Sequence, residues 1–158
     1  MSERPVQPKQ PVSAEVALFG GEKVIGEFFV SMDSPRRDSG PETLHDLLND
    51  NSRSFVPFQT EGGIFLINRS TLRTVEFDSR ELKELFERPD NEFIYALNVD
   101  LRTETQAVTL QGFCFTGDLP PDTRRPVDLL NSAEMFLLVY QAGNLMLVNK
   151  TAISHAMV

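Results

Sequence analysis

From Ala14 onward the chain runs in short apolar–polar segments separated by turn residues, the pattern of β-strands. Glu15-Val16-Ala17-Leu18-Phe19 precedes Gly20-Gly21, a hairpin-type turn. Lys23 to Val30 predicts a second strand, rich in β-branched and aromatic residues. Gly26 inside it predicts a bulge or sharp bend, a device that curves a strand into a small barrel. Further strands are expected at Ser54–Gln59, Ile64–Asn68 and Thr71–Phe77, with Gly62-Gly63 as a turn, and strand character returns through 93–116. Two segments read as helices. One is short, from about Leu44 to Asn49, with Thr43 as N-cap and Asp46 in the capping-box position. The other spans 79–88, with Ser79 at its start, Pro89 past its end, and Leu82, Leu85 and Phe86 on one face. That face either packs on the sheet or is offered to a partner.

The two halves of the chain resemble each other. Asp46-Leu47-Leu48-Asn49 recurs as Asp128-Leu129-Leu130-Asn131, Phe55 matches Phe136, and Gly62 matches Gly143. Phe65 to Leu72 then pairs position by position with Met146 to Ile153, and only Thr71/Ala152 changes chemical type. Ile25-Gly26 before Phe28-Phe29 echoes Gln111-Gly112 before Phe113-Cys114-Phe115. The expected fold is therefore mainly β (α+β): two tandem small β-barrel or roll repeats of about five strands, each with a short helix, joined by an amphipathic helix. The boundaries are a disordered tail at 1–13, repeat 1 at 14–77, a linker helix at 78–92 and repeat 2 at 93–158. Units this small bury too little surface to be stable alone, so the pair is expected to share a core.

Charge narrows the function classes. Against 15 Lys+Arg stand 23 Asp+Glu, a net charge of −8. This disfavours general nucleic-acid binding, which needs a surplus of cations to neutralise phosphates, and equally a polybasic membrane binder. Cys114 is the single cysteine, so an intrachain disulfide is excluded; in an apolar run it reads as a buried, inert thiol. No apolar run approaches the length of a membrane span, and Met1 to Ser13 lacks the apolar stretch of a signal peptide. A cytoplasmic protein without a cofactor is expected.

Catalytic chemistry has little to stand on. His45 and His155 occupy non-equivalent positions in the two halves, opposite Val127 and Thr74, and no metal-ligand spacing or phosphate-binding loop is present. Asp46 and Asp128 suit the first turn of a helix. Asn49, Asn131, Asn68 and Asn149 are expected where the chain enters the left-handed conformation at a helix end or strand corner. The arginine pairs Arg36-Arg37 and Arg124-Arg125 lie in corresponding loops and suit bidentate docking of a carboxylate or phosphate. Pairing with nearby acids such as Asp33, Asp38, Asp118 and Asp122 is the simpler use.

The pattern D-x-L-N, an aromatic-led strand, then apolar-N-[KR]-x-x-[IL] resembles a family of small bacterial proteins of unknown function. Its members carry one copy, usually with an Arg three residues before the Asp. Arg125 fills that place before Asp128, whereas Thr43 stands before Asp46. The corner Leu147-Val148-Asn149-Lys150-Thr151-Ala152-Ile153 also resembles the strand-four-to-strand-five turn of Sm/Hfq-like small barrels, although those begin with a helix. The resulting expectation is a bacterial, non-enzymatic adaptor that docks another protein, or a further copy of itself, without membrane insertion. The arginine loops would supply polar specificity, and strand edges or the Leu82/Leu85/Phe86 face would supply apolar contact. The alternative is an Sm-like RNA or nucleotide binder using the paired arginines.

Overall fold

Alternating burial shapes the strands and period-three contacts the helices. The computed structural model describes residues 9–32, 42–87, 94–102, 107–115 and 125–157. The first half holds β1 (Lys9–Leu18), β2 (Lys23–Ser31), α1 (Leu44–Leu48), β3 (Phe55–Thr60), β4 (Gly63–Asn68) and β5 (Leu72–Phe77). After α2 (Arg80–Glu87) come β6 (Ile94–Arg102), β7 (Ala107–Phe115), α3 (Pro126–Leu130), β8 (Phe136–Gln141), β9 (Asn144–Asn149) and β10 (Ile153–Met157). Short 3-10 turns at Arg69–Thr71 and Lys150–Ala152 lead into β5 and β10.

The ten strands form one antiparallel sheet in the order β10-β6-β7-β8-β9-β5-β1-β2-β3-β4. In each half the fifth strand lies beside the first, and the others follow in sequence. The expected closure into small barrels does not occur, and β5 supplies the reason. One of its edges bonds β1, from Ala14↔Phe77 to Leu18↔Leu72. The other bonds β9, from Thr74↔Val148 to Phe77↔Leu145. A strand engaged on both sides cannot also close on β4, so β4 and β10 end the sheet.

β1 begins at Lys9, earlier than the expected Ala14, because β2 pairs with it along its whole length from Lys9↔Ser31. Pro11 is tolerated there because β5 reaches only as far as Ala14, leaving the far edge of Pro11 unladdered. Gly20 and Gly21 turn the β1–β2 hairpin with φ of 103° and 90°, a left-handed conformation that glycine adopts without strain. Gly26 marks a close approach and no register shift. A Cβ there would lie 2.4 Å from the Gln59 carbonyl oxygen and 2.7 Å from the Phe58 ring. Gly112 holds the same place against β8, where a Cβ would meet Val139 at 2.7 Å and the Tyr140 carbonyl oxygen at 2.8 Å.

Two clusters form the core. The larger unites Val16, Phe28, Leu47 and Phe58 of the first half with Phe136, Leu138, Leu145 and Leu147 of the second. The smaller holds Leu101, Cys114, Leu129, Leu137, Val139 and Val148. Successive side chains of a strand point to opposite faces, so β8 and β9 are apolar on both faces and lie between the two clusters.

The repeated polar residues have structural tasks. In α1 the Thr43 hydroxyl accepts from the Asp46 N–H at 3.1 Å, and the Thr43 N–H donates to the Asp46 carboxylate at 3.0 Å, closing a capping box. The asparagines correct the expectation of left-handed backbone. Asn49 and Asn131 have φ of −95° and −94°, and Asn68 and Asn149 are extended. Their side chains explain their presence. Asn68 Oδ1 accepts from the Ser70 N–H and hydroxyl, and Asn149 Oδ1 does the same for Thr151. The following basic residue ties the corner to the helix side: Arg69 donates to the Leu48 carbonyl at 2.6 Å, and Lys150 to the Ser132 carbonyl at 3.0 Å.

Gly26→Ala and Gly112→Ala should each destabilise the fold by about 1–3 kcal/mol, the usual cost of an atom forced into packed space. Chemical denaturation checks this; wild-type midpoints for both would contradict the close approach.

Candidate protein-interaction surface

Among the described residues no group of three or more His, Cys, Asp or Glu is arranged to hold a metal ion. His45 is buried on α1, with Nε2 3.4 Å from the Glu134 carboxylate. His155 lies between Asp100, which faces its Nε2, and the Ser154 hydroxyl 2.9 Å from its Nδ1. This trio sits on open sheet surface, without the water-excluded setting in which fixed dipoles stabilise a transition state strongly. Burial pushes the Cys114 thiol up to about 12, so the thiolate is scarce at neutral pH. A cleft of about 270 Å³ mixes Glu15 and Glu76 with Lys23 and Arg73 and presents no surplus of either charge. No helix among the described residues is long and apolar enough to cross a membrane.

Of the arginines singled out above, Arg36, Arg37 and Arg124 lie outside the described residues. Arg125 is the N-cap of α3 and pairs with its own helix: Nε is 2.9 Å and Nη2 3.2 Å from the two Asp128 carboxylate oxygens. This hydrogen-bonded pairing holds the Asp128 carboxyl below its ordinary value and raises the Arg125 guanidinium. On α2, Leu82 is buried in the larger core cluster, and Phe86 stacks on Tyr140 with ring centres 5.3 Å apart. The Tyr140 hydroxyl donates to Glu87 at 2.8 Å. The side chain of Leu85 is not among those described. The helix thus straps the first half to β8, and its Leu82–Phe86 side is turned to the protein itself.

A different apolar surface is open. On β3 and β4, Phe55 is 58% exposed, Ile64 66% and Leu66 69%. Cross-strand pairing sets Phe55 opposite Asn68 and Pro57 opposite Leu66, so all of these share one face. β4 also ends the sheet, so its outer row of backbone donors and acceptors has no partner strand among the described residues. The corresponding residues of the second half are Phe136, Leu138, Leu145 and Leu147, and none exceeds 2% exposure. Full burial of such a side chain contributes about 1.5–3 kcal/mol, so the open face forgoes a large stabilisation.

What covers the second-half face is the first half. β5 pairs with β9, and α1 packs across β8. Asn49 extends from the end of α1 as a substitute strand: its Oδ1 accepts from the Phe136 N–H at 2.8 Å, and its Nδ2 donates to the Phe136 carbonyl at 3.2 Å. Asn149 Nδ2 donates to the Leu72 carbonyl at 2.8 Å across the same seam. The open face was missed from sequence because its pattern is that of a buried strand pair. The mismatch between four apolar positions on this face of β3–β4 and the lack of any later element among the described residues to cover them is visible only in three dimensions.

Comparison with protein-family models, curated proteins and solved structures finds no match to this chain.

Two outcomes are expected. Asn49→Ala strands the buried Phe136 backbone groups, each costing about 1–3 kcal/mol, whereas Asn131→Ala at the exposed equivalent costs little. Equal losses in urea melts would remove the special role of Asn49. Cys114 should resist thiol reagents in the native protein at pH 8 and react once denatured; rapid native labelling would contradict its burial.

Proposed function

We propose that this chain is a non-enzymatic protein–protein interaction module, built as two copies of one five-strand unit, that docks a partner on the β4 edge and the face of Phe55, Pro57, Ile64 and Leu66. The two-copy reading is supported by the shared strand order, the equivalent asparagine corners and the equivalent close-packed glycines. The docking reading is carried by one observation: the same face is sealed in one half and open in the other.

The surface suits protein better than other partners. A free strand edge recognises extended backbone, and flanking apolar side chains supply contact area. Aromatic residues and large aliphatics without interleaved cations do not make a platform for nucleic acid, and the net charge of −8 opposes it. Arg125, spent on Asp128, adds no free cation among the described residues.

The test is co-purification of the tagged full chain with and without nuclease, repeated with Ile64→Asp/Leu66→Asp. A protein partner, a further copy of the chain included, should survive nuclease and fall at least tenfold in the variant, a change of about 1.4 kcal/mol or more. An unchanged melting temperature shows that the variant folds. Retention of RNA, or partners lost with nuclease, would overturn the proposal in favour of the Sm-like reading.

A further inference from the structure

Taking the docking reading as its basis, we infer that the occupant of the open face is a second copy of this chain, seated head to tail through its β10 edge and α3. The internal seam between β5 and β9 is the template, and each of its parts has an unused counterpart at the two ends of the molecule.

On the receiving side the counterparts are β4 for β9, and Phe55, Pro57, Ile64 and Leu66 for Phe136, Leu138, Leu145 and Leu147. On the inserting side, β10 ends the sheet among the described strands, in the place that β5 would hold without β9. α3 stands for α1. His45 and Asn49 of α1 are buried in the internal seam, whereas their counterparts Val127 and Asn131 are exposed. Asn49 grips the Phe136 backbone. Asn131 has the same backbone conformation, φ −94° and ψ 2° against −95° and 3°, so its amide is held ready to grip the Phe55 backbone of another copy. Asn149 bonds Leu72 across the seam, and the amide of its counterpart Asn68 would do the same for the Ile153 carbonyl of the next copy.

The register follows. Val148↔Thr74, Leu147↔Val75 and Met146↔Glu76 become Ile67↔His155, Leu66↔Ala156 and Phe65↔Met157 between copies. Phe65 and Met157, both exposed in one chain, would then lie side by side. Each molecule owns one receiving and one inserting end, so the contact is heterologous: repetition produces a closed ring, or an open filament where the rotation does not close. This arrangement also pairs both end strands of the described sheet.

The test uses the purified full chain and two variants made only at exposed positions. Ile64→Asp/Leu66→Asp disables the receiving end, and Val127→Asp/Asn131→Asp disables the inserting end. By sedimentation the wild type should assemble beyond a monomer, each variant alone should be monomeric, and an equal mixture should form a dimer and nothing larger. In a second measurement Phe65→Cys mixed with Met157→Cys should form an intermolecular disulfide on oxidation, while Ile25→Cys mixed with Met157→Cys should not, and buried Cys114 stays silent. A wild type that is monomeric at every concentration overturns the inference, as does a mixture that stays monomeric. If that monomer still loses a different protein partner through Ile64→Asp/Leu66→Asp, self-assembly falls and the interaction module stands; if nothing binds, both fall.

Discussion

The antiparallel pairing of β5 with β9 is the constraint on which the molecule depends. It turns two five-strand arrays into one sheet and places β8 and β9 between two apolar clusters. The seam is polar at its margins as well as apolar at its centre. Asn49 satisfies the backbone at the start of β8, and Asn149 satisfies the carbonyl that opens β5. Buried backbone groups must find partners, so these two amides bring the halves together in one register and exclude neighbouring ones.

The same seam explains the asymmetry of two similar halves. Phe136 and Phe55 occupy matching places, yet one is sealed and the other is open to water. Nothing in the local sequence distinguishes them. What differs is what lies across the sheet: α1 and β5 cover the second half, and no described element covers the first. Among the described strands β4 and β10 end the sheet, and an apolar face lies open beside β4.

Repeated polar residues often invite a catalytic or ligand-binding reading. Here Asp46 and Asp128 close helix N-termini, Asn68 and Asn149 cap 3-10 turns, and Arg69 and Lys150 anchor those turns to the helix side. A motif conserved between halves of one chain can therefore mark a corner that the backbone cannot make without help. Only Asn49 and Asn149 go beyond that local task, because their amides cross between the halves.

Most strand and helix positions and the capping box on α1 were legible in the sequence, because each depends on residues within a turn or a strand pair of one another. The burial of Cys114 was legible too, from the apolar run around it. The tertiary structure alone decided that the strands join edge to edge and stay open, that Leu82 and Phe86 face inward, and that Asn49 serves a residue far along the chain. Local sequence sets which face of a strand is apolar. Which apolar face is covered depends on the path of the whole chain, and on β3 and β4 that path leaves the face open.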